Sequence, residues 1–141
     1  MAKFRVRLLR VHGGLLVVLG LGNAALSTWG MQTGDGIMGF LAQHRMGHAG
    51  LVQAYLLVTI LGFLLLRGAR AVDPRFWNRV GACVHLAILP AFAFHWDFFA
   101  EVAPIGAVLR NGIVIHLVFL TLESVAGFSP VDARSQPSPG V

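Results

Sequence analysis

Six histidines stand in a chain whose residues are only 12% charged, and they define the chemistry open to it. His44 and His48, in Gln43-His44-Arg45-Met46-Gly47-His48, are four apart and share a face if that segment is helical. With His95 and Glu101 they form a candidate metal site, since zinc, copper and iron all accept imidazole and carboxylate ligands. The competing reading is an interfacial helix whose polar residues face water. His48, His95 and Glu101 could also exchange protons with a substrate, with Arg110 and Asn111 stabilising negative charge on a substrate oxygen.

A second set is His12, His85, His116 and Glu123. His85 with His116, or His48 with His95, could ligate a b-type haem between antiparallel helices. The alternative there is hydrogen bonding between helices. His116 and Glu123, seven apart, share one helical face with Gly112 and could relay protons. A buried hydrogen bond that fixes helix packing is the preferred reading of that pair. The expected spans put His85 and His116 at depths that differ by roughly 6 Å.

These residues need elements to carry them, and the composition says which kind. The 141 residues are 56% hydrophobic, and the charged fraction is about half the ~25% usual in soluble domains. Lipid is therefore the expected solvent. Apolar runs predict spans at about 11–29, 50–66, 80–97 and 104–127, each near the length that crosses a bilayer. The first run follows Lys3, Arg5, Arg7 and Arg10 and resembles a signal peptide, but its length and the poor cleavage site at Ala24-Ala25-Leu26 favour a retained span. Gly14, Gly20, Gly22 and Ala24 would let helices approach closely. Asp73-Pro74 is expected to break helix in the basic loop 67–79, and Pro90 to kink the third span. Residues 129–141, with three prolines and three serines, are expected to be a disordered tail behind a membrane domain of residues 1–128.

Basic residues set the orientation. Lys3, Arg5, Arg7, Arg10, Arg67, Arg70, Arg75, Arg79 and Arg134 fall on one side of such a bundle. Arg45, and Arg110 within span four, fall on the other. The positive-inside rule then predicts an all-α, four-span, up-down antiparallel bundle with both termini cytoplasmic, in the inner membrane of a bacterium. The outer half would gather Asn23, Gln53, His95, Arg110 and Asn111, with Arg110 paired to Asp97 or Glu101.

The net charge of +5 flanks apolar runs and forms no aromatic-interleaved patch, so nucleic acid is not an expected partner. A single cysteine, Cys83, rules out an internal disulfide and any CxxC motif, and is expected to be a small buried residue. There is no HExxH, GxSxG or phosphate loop. The expected function is a polar site in the outer half that binds haem b or a transition metal, or does acid–base or redox chemistry on a lipophilic substrate such as a quinone or isoprenoid. Two alternatives stand beside it: a non-enzymatic accessory or assembly subunit of a larger membrane complex, and a homo-oligomeric proton-coupled transporter using Glu123 and His116.

Overall fold

The computed structural model describes residues 1–97 and 105–130, and the side chains of all of these except 105–111. The described chain is all-helical. Helix α1 spans Ala2–Thr33, a 3-10 turn spans Gly39–Gln43, α2 spans Arg45–Gly68, α3 spans Pro74–Phe94 and α4 spans Ile105–Phe128. Helices α1, α2 and α3 are long and apolar enough to cross a membrane, and Gly112–Phe128 of α4 is a shorter apolar stretch.

The distribution of side chains identifies the solvent. Seven described hydrophobic residues are buried, and seven polar ones are buried with them: Arg5, His12, Ser27, Thr59, Asn78, His85 and Glu123. Outside, Val18, Leu57, Phe63, Leu86 and Phe94 are each more than half exposed. In water this arrangement would discard the hydrophobic driving force. In lipid, where tails are as apolar as leucine, polar contacts and close packing hold helices together instead.

The chain folds as two antiparallel hairpins. In the first, α1 packs along α2 through small residues: a Cβ on Gly13 would lie 2.7 Å from the Gly62 carbonyl oxygen, and Gly20 lies against Tyr55 and Thr59. Gly14 and Gly22, two of the glycines expected to make this contact, have nothing within 4 Å. Gly34 ends α1 in the left-handed region (φ 77°), where its N–H reaches Gly30 O at 2.8 Å. Leu9, Leu65 and Ala69 form an apolar plug at the other end, with Val6, Leu16, Leu61 and Trp77 against it.

In the second hairpin α3 packs along α4. Helix is broken at 69–73 as expected, and Asp73-Pro74 also starts α3. Asp73 is the N-cap and Pro74 occupies the first turn, where its missing N–H costs nothing. This moves Asn78 and Arg79 from the expected loop into α3, which ends at Phe94 and leaves His95 in the turn. Pro90 lies inside α3 as expected. Cys83 is exposed, on the apolar outer face, contrary to its expected burial.

Two arginines read as topology signals also lock the ends of the bundle. Arg5 donates from Nε to Ala126 O at 2.7 Å and from Nη2 to Ser129 O at 2.8 Å. Arg79 donates from Nε to Gly127 O at 2.9 Å, with its guanidinium 5.1 Å from the centre of the Phe128 ring. Helix α4 thus ends on carbonyls capped by cations from α1 and α3, which satisfies both orphan acceptors and the helix dipole.

Asp73 accepts from the Arg75 side chain (Nε to Oδ1, 3.1 Å; Nη2 to Oδ2, 3.3 Å) and from its backbone N–H (3.1 Å). The Arg75 side-chain bond, then the backbone bond, hold the Asp73 carboxyl below the usual carboxylate range. Asp73→Asn is expected to cost about 1 kcal/mol or less, because the cap is exposed. A depressed folded pKa means that this contribution is constant above the ordinary value of about 3.9 and disappears as pH falls through the lowered one. Unfolding of wild type and variant compared between pH 7 and pH 2.5 checks this; a difference that grows on acidification contradicts it.

Candidate functional site

Three helices each present a pair of polar residues seven apart, two helical turns, on one buried face. Helix α1 carries Arg5 and His12, α3 carries Asn78 and His85, and α4 carries His116 and Glu123. Packing α1 between the ends of the second hairpin brings five of these six into one chain. Asn78 Nδ2 donates to Glu123 Oε2 at 2.6 Å. Glu123 Oε1 lies 2.7 Å from His12 Nδ1. His12 Nε2 lies 3.0 Å from His85 Nε2, and His85 Nδ1 lies 2.8 Å from His116 Nδ1.

The chain is enclosed along most of its length. His12 and Glu123 have no exposed surface and His85 has 2%. Phe119 stacks on His12 at 4.3 Å between ring centroids and on His85 at 5.7 Å. Gly81 makes the space for the carboxylate: a Cβ there would sit 3.0 Å from Glu123 Cδ. His116 is the half-buried end, in contact with Phe92. Leu89, Phe92, Ala93, Trp96, Asp97 and Ile113 line an open groove. At the other end Asn78 Oδ1 is buried and meets no hydrogen-bond donor among the described residues.

The directions of the bonds follow from donor inventory. Glu123 as carboxylate can only accept, so His12 carries its proton on Nδ1 and accepts at Nε2. His85 then donates from Nε2 and accepts at Nδ1, and His116 donates from Nδ1. That leaves His116 Nε2 with a free lone pair. A proton added at this atom can be absorbed by moving each bridging proton one place along: His116 to His85, His85 to His12, His12 to Glu123. The end state has a neutral carboxyl, three neutral imidazoles and every bond reversed. One geometry is therefore a base at His116 with Glu123 ionised and an acid there with Glu123 protonated.

The other expected site residues take no part in this chain or lie outside the described set. His44 is exposed at the N-cap of α2 rather than within a helix, and His48 is half-buried with Nε2 3.3 Å from Thr28 Oγ1. His95 and Gln53 are exposed and Asn23 is half-buried. Glu101 and the side chains of Arg110 and Asn111 lie outside the described residues. Among the described residues no group of three or more His, Cys, Asp and Glu is placed to hold a metal ion. His85 and His116, expected at different depths, stand in direct contact. Their 2.8 Å spacing is that of a hydrogen bond; axial ligation of one haem iron would need the two nitrogens about 4 Å apart, twice a metal–imidazole bond of ~2.0 Å.

Asn78 is the site residue that the sequence reading missed, and Arg5, which locks α1 to the end of α4, is the buried polar residue missed beside it. Asn78 was hidden by the loop assignment around Asp73-Pro74, and Arg5 by its reading as a topology charge. The repeated polar pair at a spacing of seven on α1 and α3 is the signal that finds them. Comparison of the chain with models of known protein families, with characterised proteins and with solved structures finds no match.

Proposed function

We propose that this is a four-span inner-membrane protein, with both termini cytoplasmic, whose buried Glu123–His12–His85–His116 chain carries protons to and from a lipophilic substrate at the His116 end. The observation that carries this reading is the unbroken run of four titratable groups through the bundle. Ionisable side chains at membrane depth are costly and, where present, line proton or substrate pathways. Nine basic residues on one side of the spans support the orientation. Leu89, Phe92, Trp96 and Ile113 at the open end suit an apolar ring with an ionisable oxygen, such as a quinol, and Asp97 in the same lining disfavours a free anion.

In this reaction class His116 Nε2 takes the proton from a substrate hydroxyl. The three bridging protons shift, and the negative charge passes from Glu123 to the substrate oxygen. The reverse sequence protonates a bound anion. Phe119 and Phe92 exclude water, so the exchange runs along the chain and not through bulk solvent. This reading rests on the buried chain and not on His48, His95 and Glu101, the candidates expected at the outer rim.

A lipophilic nitrophenol whose phenolate absorbs in the visible tests this in protein-loaded liposomes. At a pH where the phenol stays protonated in protein-free liposomes, wild type is expected to generate the phenolate band in proportion to protein. His116→Phe and Glu123→Gln are each expected to lose it. A band that persists in Glu123→Gln, or no band with wild type, overturns the proposal.

A further inference from the structure

We propose that the cleft where the cytoplasmic half of α1 meets the end of α2 is a binding site for an anionic phospholipid. Arg10 of α1, Arg67 of α2 and Arg70 of the following turn surround this cleft, together with Phe63 and Leu66. All three guanidinium groups are on exposed residues. Among the described residues the ion pairs are His12–Glu123 and Arg75–Asp73, and neither uses these arginines. Three cations from two helices therefore converge without a protein anion between them.

The order of groups along α2 argues for a lipid and not for a free anion. Phe63, 57% exposed, lies one turn nearer the membrane centre than Arg67, and Leu66 lies beside it. Arg70 follows at the rim. An apolar wall thus runs into a cationic one, matching acyl chain and then phosphate. Guanidinium forks fit phosphate oxygens in pairs of hydrogen bonds, and basic pockets between spanning helices hold anionic headgroups. A free phosphate would gain nothing from Phe63 and Leu66. The site is separate from the histidine chain and does not depend on its chemistry.

Native mass spectrometry of the full chain in mild detergent, with equimolar phosphatidylglycerol and phosphatidylcholine, tests the site. Wild type is expected to retain phosphatidylglycerol over phosphatidylcholine by ~10-fold or more. Arg10→Gln/Arg67→Gln/Arg70→Gln is expected to bring the two lipids within about twofold, since the attraction per basic residue is lost. Lys3→Gln/Arg7→Gln/Arg75→Gln, which removes the same charge from the same end, is expected to keep the preference. Equal retention of both lipids by wild type overturns the proposal. Equal loss in both triple variants also overturns it, by showing a diffuse charge effect. Displacement of phosphatidylglycerol by millimolar inorganic phosphate would replace the lipid with a phosphate site.

Discussion

Glu123→Gln is expected to fold with nearly wild-type stability and to carry no protons, whereas Glu123→Ala is expected to lose about 3 kcal/mol. The difference follows from counting donors and acceptors. Alanine leaves His12 Nδ1–H and Asn78 Nδ2–H, both now satisfied by the carboxylate at 2.7 and 2.6 Å, with nothing to donate to. Interhelical hydrogen bonds in membranes contribute about 0.6–1.7 kcal/mol each. The cavity opposite Gly81 adds roughly another kcal/mol, because the glycine cannot fill it.

Glutamine keeps the volume. Its Oε1 accepts from His12, and its amide donates to Asn78 once that side chain turns over. Asn78 Oδ1, buried without a donor in the wild type, then becomes the acceptor. One unsatisfied atom is exchanged for another, so the net cost stays within about 1 kcal/mol. The glutamine cannot end the relay, because it has no carboxylate to take the proton. Detergent-driven unfolding followed by helical circular dichroism gives the two stabilities. Equal destabilisation by both substitutions would show that the ionised carboxylate, and not the volume and polarity that glutamine keeps, holds the helices together there. Equal tolerance of both would show that the carboxylate is not buried between its two donors.

The helical class and the general position of the helices were legible because apolar runs of bilayer length leave few alternatives. The deeper polar set was legible only as candidates. His116 and Glu123 could be placed on one face from their spacing, since both lie on one helix. That His12 joins them depends on how α1 is turned and on how deep it lies, and neither is set by the sequence of α1 alone. The expected 6 Å offset of His85 and His116 came from starting the third span at residue 80. The N-cap at Asp73 starts the helix six residues earlier, and the bundle is keyed by Arg5 and Arg79 at the α4 terminus. The dipeptide marked the break but not the start of the helix that follows it. Aspartate followed by proline stops a helix arriving from the N-terminal side, but the same pair is well suited to start the next one.

The outer half was harder to read for a different reason. Helix ends collect polar residues whether or not they do chemistry, since water and headgroups satisfy them there. His44 is such a residue, exposed at the N-terminus of α2. Depth separates the two cases better than residue type. An exposed histidine at a rim costs little to keep. His12 and His85, encased beside Phe119, would be expensive without partners, and their partners are what the fold supplies.

Adjacent glycines in α1 are expected to respond to alanine with opposite signs. Gly13 faces α2, and a methyl group there would lie 2.7 Å from Gly62 O and 3.0 Å from the Leu66 backbone N. Neither neighbour is a flexible side-chain tip. The two helices would have to separate, so Gly13→Ala is expected to cost about 2–3 kcal/mol. Gly14 has nothing within 4 Å, so Gly14→Ala meets no obstacle and gains helix propensity; it is expected to be neutral or to stabilise by up to about 1 kcal/mol. The expectation from sequence had named Gly14 as a close-approach residue, because neighbouring glycines are indistinguishable until the helix phase is known. Gly13 also follows His12 directly. Moving α1 away from α2 shifts the imidazole that bridges Glu123 and His85, so Gly13→Ala is expected to lose nitrophenol deprotonation while Gly14→Ala retains it. Detergent-driven unfolding and the phenolate band measured on the same pair of variants check both parts. Equal stability of the two would mean that α1 and α2 do not meet at Gly13 and Gly62. Loss of stability with the phenolate band intact would mean that the relay is held by α3 and α4 without help from the position of α1.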